Sequence, residues 1–307
     1  MFRMVTVFIT RACSIKCPHC LVWKRRLGTR PAEYWYRVYN YVWRKMGRHI
    51  HISMIGGEPL EYGDLEKLIC LLGYENYSIT SNSITLTKEV AERFVKCGLP
   101  NWSVSIDMPE DIGDERDRAG FRAIRIFGEL GVDDLHVTVT IYPWNVKHLR
   151  RLFRELKSLH VYIEPTFASW SNAPWYDSFP SSGLVYTDDM VREIRLAVRE
   201  ELYGYEKFHG VESMFEEDLE VMLNNRWFCK YPYSATVDED GSMRMCRDVP
   251  GKRVREYDLI GAVDRWSDYV GSWLLDRGEF CAGCNWDCMY QSNKVADVFT
   301  HINAFVG

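Results

Sequence analysis

The stretch Thr10-Arg11-Ala12-Cys13-Ser14-Ile15-Lys16-Cys17-Pro18-His19-Cys20 follows the first apolar run and carries three cysteines in one loop. Their C-x3-C-x2-C spacing differs from the paired Cys and His spacings of tetrahedral zinc sites, which also need four ligands. Soft thiolates suit iron–sulfur chemistry, and three thiolates on a four-iron cluster would leave one iron without a protein ligand. A zinc knuckle, with His19 or a distant cysteine as fourth ligand, is the alternative interpretation.

Composition limits the class of protein. The 307 residues allow one large domain, or one large and one small domain. A net charge of -5 without long basic runs argues against nucleic-acid binding. The chain shows neither a signal peptide nor an apolar run of the roughly 18 residues that cross a membrane, so we expect a cytoplasmic protein without a membrane partner. In such a chain the ten cysteines favour metal ligands and buried thiols over disulfides, and Cys70 and Cys97 are expected to pack as apolar side chains.

Strand and helix patterns alternate through the first half of the chain. Strands are expected at 5–10, 49–55, 77–81, 102–106, 135–141 and 161–165, and helices at 31–46, 64–72, 87–97, 120–130 and 146–158. Short connections between such elements imply parallel strands with right-handed crossovers. Six strands would form a barrel that is open on one side, although a doubly wound sheet also satisfies the pattern. In both folds the functional loops lie at the carboxyl ends of the strands.

A second group of cysteines lies in the C-terminal part. After a Trp- and Pro-rich connector at 169–182, helices are expected at 188–202 and 211–225, strands at 234–238 and 242–245, and a helix at 263–276. The spacing of Cys229, Gly241 and Cys246 is C-x11-G-x4-C, and Gly241 belongs to a hairpin turn that brings the two cysteines together. Cys281, Cys284 and Cys288 follow as C-x2-C-x3-C. A zinc ribbon is the alternative for this region.

The cysteine triplet resembles that of the radical S-adenosylmethionine (SAM) enzymes. The resemblance implies a partial (β/α)6 TIM-like barrel in which Cys13, Cys17 and Cys20 hold a [4Fe–4S] cluster. In that family the open iron chelates SAM, and an electron cleaves SAM to methionine and a 5'-deoxyadenosyl radical that removes a hydrogen atom from the substrate. An external electron donor such as ferredoxin or flavodoxin is then required.

Several motifs at strand ends are similar to the family's SAM-binding motifs. Gly56-Gly57-Glu58-Pro59 resembles the turn that bonds the SAM amino group. The resemblance further implies cofactor contacts from Ser81, Asn82, Ser105, Asp107 and Arg118, with Arg116 as a rival for Arg118. An exposed charged loop at 111–118 is the plain structural alternative. Glu164, Tyr142 and Asp107, at strand ends that face the cavity, are candidates for substrate binding or proton removal.

The C-terminal cysteines resemble the auxiliary-cluster domain of the SPASM/twitch subgroup. The full SPASM pattern has more cysteines and two auxiliary clusters, so five cysteines imply a shorter, twitch-like α+β domain with one auxiliary [4Fe–4S] cluster. Cys229, Cys246, Cys281 and Cys284 are the expected ligands, and Cys288 is spare or replaces Cys281 or Cys284. The resemblance divides the chain into a barrel at 1–185, a helical connector at 186–225 and the twitch-like domain at 226–307.

Three functions follow from these patterns. The leading hypothesis is a radical SAM enzyme that modifies a peptide or protein, even though the chain begins at the first barrel strand and we expect no N-terminal peptide-recognition domain. Oxidation or rearrangement of a small molecule is its rival. A non-enzymatic iron–sulfur or zinc-binding protein is the third, and it would not need the Gly56-Gly57-Glu58-Pro59 turn.

Overall fold

Nine strands and seven α-helices lie in the part of the chain that the computed structural model describes, which comprises residues 4–17, 20, 22–24, 26–168, 185–208, 219, 234–244 and 254–264. The strands are β1 (Met4–Thr10), β2 (His51–Gly56), β3 (Tyr77–Ser81), β4 (Trp102–Ser105), β5 (Leu135–Ile141), β6 (Tyr162–Phe167), β7 (Ser234–Val237), β8 (Ser242–Arg244) and β9 (Val254–Asp258). The helices are α1 (Ala32–Met46), α2 (Leu65–Leu72), α3 (Lys88–Lys96), α4 (Glu115–Glu129), α5 (Leu149–Ser158), α6 (Asp188–Glu201) and α7 (Leu259–Asp264).

These strands form one sheet in the order β6-β5-β4-β3-β2-β1-β7-β8-β9. From β1 to β6 every neighbouring pair is parallel, which confirms the predicted α/β class and is consistent with a partial TIM-like barrel. On the other side of β1, β7 is also parallel, and β8 and β9 continue the sheet antiparallel. None of the helices in the described part of the chain is long and apolar enough to cross a membrane.

The two faces of the parallel strands differ in chemistry. On β5 the side chains of Val137 and Val139 are fully buried and join the core against the helices. The alternating residues Thr138 and Ser103, on β5 and β4, line a cavity inside the barrel. The apolar core therefore lies between the sheet and the helices, and the part of the inner face at Ser103 and Thr138 carries polar side chains.

Some boundaries differ from those predicted. Helix α4 begins at Glu115, not near 120, because Asp114 and Asp117 form a capping box in front of it. Strand β6 extends to Phe167, so Glu164 lies within the strand and not at its end. Strand β9 was not predicted, and the helix expected at 263–276 begins at 259. The helix predicted at 211–225 and the connector at 169–182 lie outside the described residues.

Cys70 and Cys97 form a disulfide between α2 and the end of α3, with a Cα–Cα distance of 4.4 Å. The expectation of two packed thiols is therefore wrong. In α2 the apolar residues Leu68 and Ile69 face the core, whereas Cys70 is exposed and Cys97 is only half-buried. An apolar sequence neighbourhood did not show which face of the helix carries the cysteine.

Candidate active site

The three N-terminal cysteines lie on the loop between β1 and α1. Cys13, Cys17 and Cys20 are not disulfide-bonded, and each is half-buried. Burial raises the pKa of Cys13 to about 11, and the carboxylates of Glu58 and Glu61 act in the same direction. Burial also raises the pKa of Cys17. In this environment the thiolates need a positive partner.

The chemistry of these thiols bears on which metal group they could hold. Among the described residues, no three His, Cys, Asp or Glu side chains converge closely enough to hold one metal ion. Tetrahedral zinc needs its thiolates at about 2.3 Å from one common point. A four-iron cluster places each cysteine on a different iron, so the sulfurs stay further apart. Three soft thiolates on one loop are a donor set that fits such a cluster. His19 lies outside the described residues.

One side of this loop rests on the turn after β2. The amides of Gly57 and Glu58 donate to the carbonyl oxygens of Thr10 and Ala12 at 2.9 and 2.7 Å. A Cβ on Gly57 would lie 2.3 Å from the Ala12 oxygen, and one on Gly56 would lie 2.4 Å from the Thr10 oxygen. Glycine is required at both positions because the backbone of the cysteine loop occupies that space. We call residues 56–61 the glycine turn.

The carboxylate of Glu58 connects the glycine turn to the end of β3. It is 2% exposed and accepts hydrogen bonds from the Leu60 amide at 2.9 Å, the Ser81 hydroxyl at 2.6 Å and the Asn82 amide at 2.7 Å. Burial raises its pKa above the ordinary value. The structure thus brings the predicted residues Glu58, Ser81 and Asn82 together, and the side chains of Glu58 and Ser81 bond to each other. Pro59 is buried beside them.

An ion pair lies at the carboxyl end of β4. The guanidinium of Arg116 pairs with Asp107 and lies 3.7 Å from Asp117. Burial opposes the charge of Arg116, but these two carboxylates raise its pKa overall. The positive charge reaches the cysteine loop, where it lowers the pKa of Cys17 against the effect of burial. Asp107 also accepts a hydrogen bond from the Thr140 amide at 2.8 Å.

The two rival arginines have different surroundings. Arg118 is exposed and donates to the carbonyl oxygen of Gly113 at 2.5 Å. Arg116 lies largely buried beside Asp107, with 11% of its side chain exposed, so it is the arginine whose charge acts on the cysteine loop. The capping box at the start of α4 is the sequence signal that could have separated them. Ser105 is the last residue of β4, two positions before Asp107, and is half-buried.

Tyr142 and Asn145 follow β5. Tyr142 is 2% exposed, its ring stacks on Trp144 at 4.5 Å, and burial raises its pKa. Asn145, which the sequence did not indicate, is fully buried and donates to the carbonyl oxygens of Asp107 at 3.0 Å and Thr140 at 2.8 Å. Its own oxygen accepts from the Tyr142 amide at 2.8 Å. Asn145 therefore fixes the ends of two neighbouring strands.

Glu164 lies apart from these strand ends, inside the barrel. It is half-buried and pairs in register with Thr138 of β5. Thr138 lies two residues before Thr140, so Glu164 is nearer the amino ends of the strands than the Asp107 and Thr140 contact. A cavity of about 560 Å³ opens there. Its lining is rich in hydroxyl, amide and imidazole groups, including His51, Ser53, Ser78, Thr80, Asn101, Ser103 and Thr138. This chamber suits a polar ligand.

Residues 7–156 match the family described as "Radical SAM superfamily". These residues belong to the radical SAM superfamily. The matched segment contains the cysteine triplet, the glycine turn and the Asp107 and Arg116 pair. The radical SAM family implies SAM and a [4Fe–4S] cluster as cofactors, and the three loop thiols are the residues that fit this cluster.

The radical SAM fold also relates the chain to solved structures. Streptococcus suis SuiB bound to S-adenosylmethionine is 16% identical with a TM-score of 0.65, and the match covers 85% of this chain and 65% of SuiB. SuiB bound to the precursor peptide SuiA gives 16% identity and a TM-score of 0.66, with 85% and 64% covered. The chain thus spans less than two thirds of the length of SuiB, and this likeness shows the fold. No curated protein matches the chain.

Proposed function

We propose that this protein is a radical SAM enzyme of the SPASM/twitch type that removes a hydrogen atom from a peptide or protein substrate. The observation that carries the proposal is the meeting of the free thiol triplet, the glycine turn and the Asp107 and Arg116 pair at one edge of the sheet. When bound, the cluster and SAM supply a 5'-deoxyadenosyl radical after reduction by an external donor such as ferredoxin or flavodoxin. The chain's own residues position these groups and exclude water.

The roles of the residues follow from their surroundings. Cys13, Cys17 and Cys20 would hold the cluster, and backbone groups of the glycine turn would meet the SAM amino group. For the SAM carboxylate we favour Arg116 over Arg118, because its charge is buried and acts on Cys17. The remaining predicted contacts, Ser105 and the Asn82 side chain, stay candidates for the ribose.

The choice between the arginines can be measured by SAM binding. Replacing Arg116 with Gln should weaken binding about tenfold, because a charge-assisted bidentate contact is lost. Arg118→Gln is the matched control and should change affinity by less than about twofold, since this exposed guanidinium bonds only the Gly113 carbonyl oxygen among the contacts described. Equilibrium dialysis with reconstituted protein gives both values. A larger loss in Arg118→Gln would reverse the assignment.

Two observations support a polar substrate. The fold resembles that of SuiB, which has been solved with a precursor peptide bound, so we extend a peptide substrate to this chain as a proposal. The polar chamber that contains Glu164 offers hydrogen-bonding groups for such a substrate. Its volume of about 560 Å³ also suits a small molecule, which keeps radical dehydrogenation or rearrangement of a polar metabolite as the second candidate.

The C-terminal region would carry the auxiliary cluster. Its cysteines, Cys229, Cys246, Cys281, Cys284 and Cys288, lie outside the described residues. Between β7 and β8 the chain does turn at Gly241, with a φ of +83°, which is the hairpin that the C-x11-G-x4-C spacing predicts. On this support we propose one auxiliary [4Fe–4S] cluster and domain limits at 1–185, 186–225 and 226–307. We also propose a cytoplasmic location, because the thiols of the triplet must stay reduced to hold a cluster.

The test of the proposed function is the iron and sulfide content after anaerobic reconstitution, together with SAM cleavage under strong reductant. The wild type should bind about eight irons, and the variant Cys13→Ala/Cys17→Ala/Cys20→Ala about four, with cleavage lost. A Cys229→Ala/Cys246→Ala variant should keep the triplet's iron. Cys70→Ser/Cys97→Ser is the matched control, because it removes two cysteines outside both sets. Zinc without sulfide would return the chain to the zinc-binding class.

A further inference from the structure

A single carboxylate holds both ends of the cysteine loop (residues 12–26). Glu239 lies in the hairpin turn (residues 238–241) between β7 and β8, and it is 2% exposed. Its Oε2 accepts a hydrogen bond from the Arg11 amide, just before the loop, at 2.7 Å. Its Oε1 accepts hydrogen bonds from the amides of Leu27 and Gly28, just after the loop. The distance from the Gly28 nitrogen to Oε1 is 3.3 Å.

A buried ion pair reinforces this attachment. The Nε and Nη2 atoms of Arg11 donate to Oδ1 of Asp238 at 3.0 and 2.6 Å, and both residues are fully buried. The same guanidinium reaches into the loop, where Nη1 donates to the carbonyl oxygen of Val22 at 3.4 Å. Such a pair is costly to break, because the remaining charge stays buried without its partner.

The backbone of the hairpin turn also contacts the segment that leads to α1. The backbone amide of Arg30 donates to the carbonyl oxygen of Glu239 at 3.1 Å. The side-chain Nε of Arg30 donates to the carbonyl oxygen of Asp240 at 2.8 Å. These contacts, like those of Arg11, join parts of the chain that are more than 200 residues apart. The geometry of the thiol triplet is thus fixed from the C-terminal region as well as from the barrel.

We infer that Glu239 and Asp238 are positioning residues for the cysteine triplet, so that the SAM-binding cluster is retained only when the C-terminal hairpin is docked. Both act through the two ends of the loop, Glu239 at the Arg11, Leu27 and Gly28 amides and Asp238 at the Arg11 guanidinium. The inference rests on the proposed function in one respect, that the triplet holds a cluster. Iron retention by the barrel half would then depend on a segment outside it.

Glu239→Gln is the decisive variant, because one amide oxygen can accept at only one end of the loop. The shape of the side chain is kept, while either the Arg11 amide or the amides of Leu27 and Gly28 lose their acceptor. Asp240→Asn is the matched control in the same turn, since the Asp240 side chain bonds the amide of Ser242 at 3.0 Å.

Two measurements apply to these variants. In protein without iron, amide hydrogen exchange over residues 11–28 should be about tenfold faster in Glu239→Gln and unchanged in β2 to β5, as expected for loss of a charge-assisted hydrogen bond. In reconstituted Cys229→Ala/Cys246→Ala protein, a chelator should remove the triplet's iron about tenfold faster from the Gln variant. The EPR spectrum of the reduced cluster, with and without SAM, should also change.

The inference is overturned if Glu239→Gln shows wild-type exchange, iron release and EPR, or if Asp240→Asn shows the same changes. A wild type that binds no iron–sulfur cluster would instead contradict the proposed function. In that case the exchange experiment still decides whether Glu239 orders the loop, so the two failures are distinguishable.

Discussion

The cysteine loop lies between two turns that hold it by different means. The glycine turn contacts the loop through backbone groups at Gly57 and Glu58, which glycine allows to approach closely. The hairpin turn contacts it through the buried charges of Asp238 and Glu239. The first side therefore depends mainly on the absence of side-chain atoms at Gly56 and Gly57, with one further contact from the Glu61 carboxylate to the Ser14 amide. The second side depends on buried carboxylates. Substitutions should affect the two sides in different ways.

The largest effect is expected on the hairpin side. Asp238→Ala would leave the guanidinium of Arg11 buried without its partner and should lower the free energy of unfolding by about 3–5 kcal/mol. The double variant Arg11→Met/Asp238→Leu should recover most of this loss, because no charge remains buried. Urea unfolding at neutral pH measures both. A loss below about 1 kcal/mol in the single variant would show that the pair is not needed.

A smaller effect is expected on the glycine side. In Gly57→Ala the new methyl group would meet the Ala12 oxygen at 2.3 Å, and the backbone must shift. Overpacking of this kind costs about 1–3 kcal/mol, and the reconstituted variant should also bind less iron. Gly63→Ala, in which the Cβ meets nothing within 4 Å, should stay within about 0.5 kcal/mol of the wild type. Equal behaviour of the two variants would contradict the close approach.

Glu58 should give the glycine side a pH dependence. Because burial raises its pKa in the folded state above the ordinary 4.5, the folded protein binds more protons than the unfolded chain above that pH. Its contribution to stability is complete below pH 4.5 and is lost as the pH rises through the folded pKa. In Glu58→Gln this decline should be absent, and about 1 kcal/mol should be lost from the hydrogen bond to the Asn82 amide. Thermal unfolding from pH 4 upward compares the two, and a parallel decline in both would exclude Glu58 as its source.

The smallest effect is expected at Glu61. Its Oε1 accepts a hydrogen bond from the Ser14 amide at 2.6 Å on the glycine side of the loop. Glu61→Gln keeps an acceptor oxygen, so the free energy of unfolding should fall by less than about 1 kcal/mol. The hydrogen exchange of residues 11–28 should also stay close to the wild type. An effect as large as that of Glu239→Gln would remove the distinction between the two sides.

The elements that sequence predicted are those with strong local patterns. The apolar and β-branched runs of β1 to β6 and the glycine turn were visible in the sequence because each depends on neighbouring residues. Strand β9, Val-Arg-Glu-Tyr-Asp, carries three charged residues and owes its place to pairing with β8, which periodicity does not show. The exposed position of Cys70 was missed for a similar reason, since helix facing depends on the packing partner.

The same limit applies to the candidate site. The triplet was identified from its spacing, and its resemblance led to the family. The sequence did not indicate the attachments by Asn145 and Glu239, because each depends on contacts with distant strands or loops. Arg116 and Arg118 differ by two positions, and only the start of α4 decides which one faces Asp107. Long-range contacts, unlike motifs, leave no local signature.

The polar inner face of the barrel has a consequence for how this protein can change. Val137 and Val139 hold β5 to the helices, while Thr138, between them, faces the chamber. Residues that keep the strand in place and residues that face the chamber therefore alternate along the same strand. Exchanging a hydroxyl for a methyl or an amide on the inner face leaves the outer layer untouched. New ligand preferences can accordingly arise one residue at a time, while the packing of the strands against the helices stays unchanged.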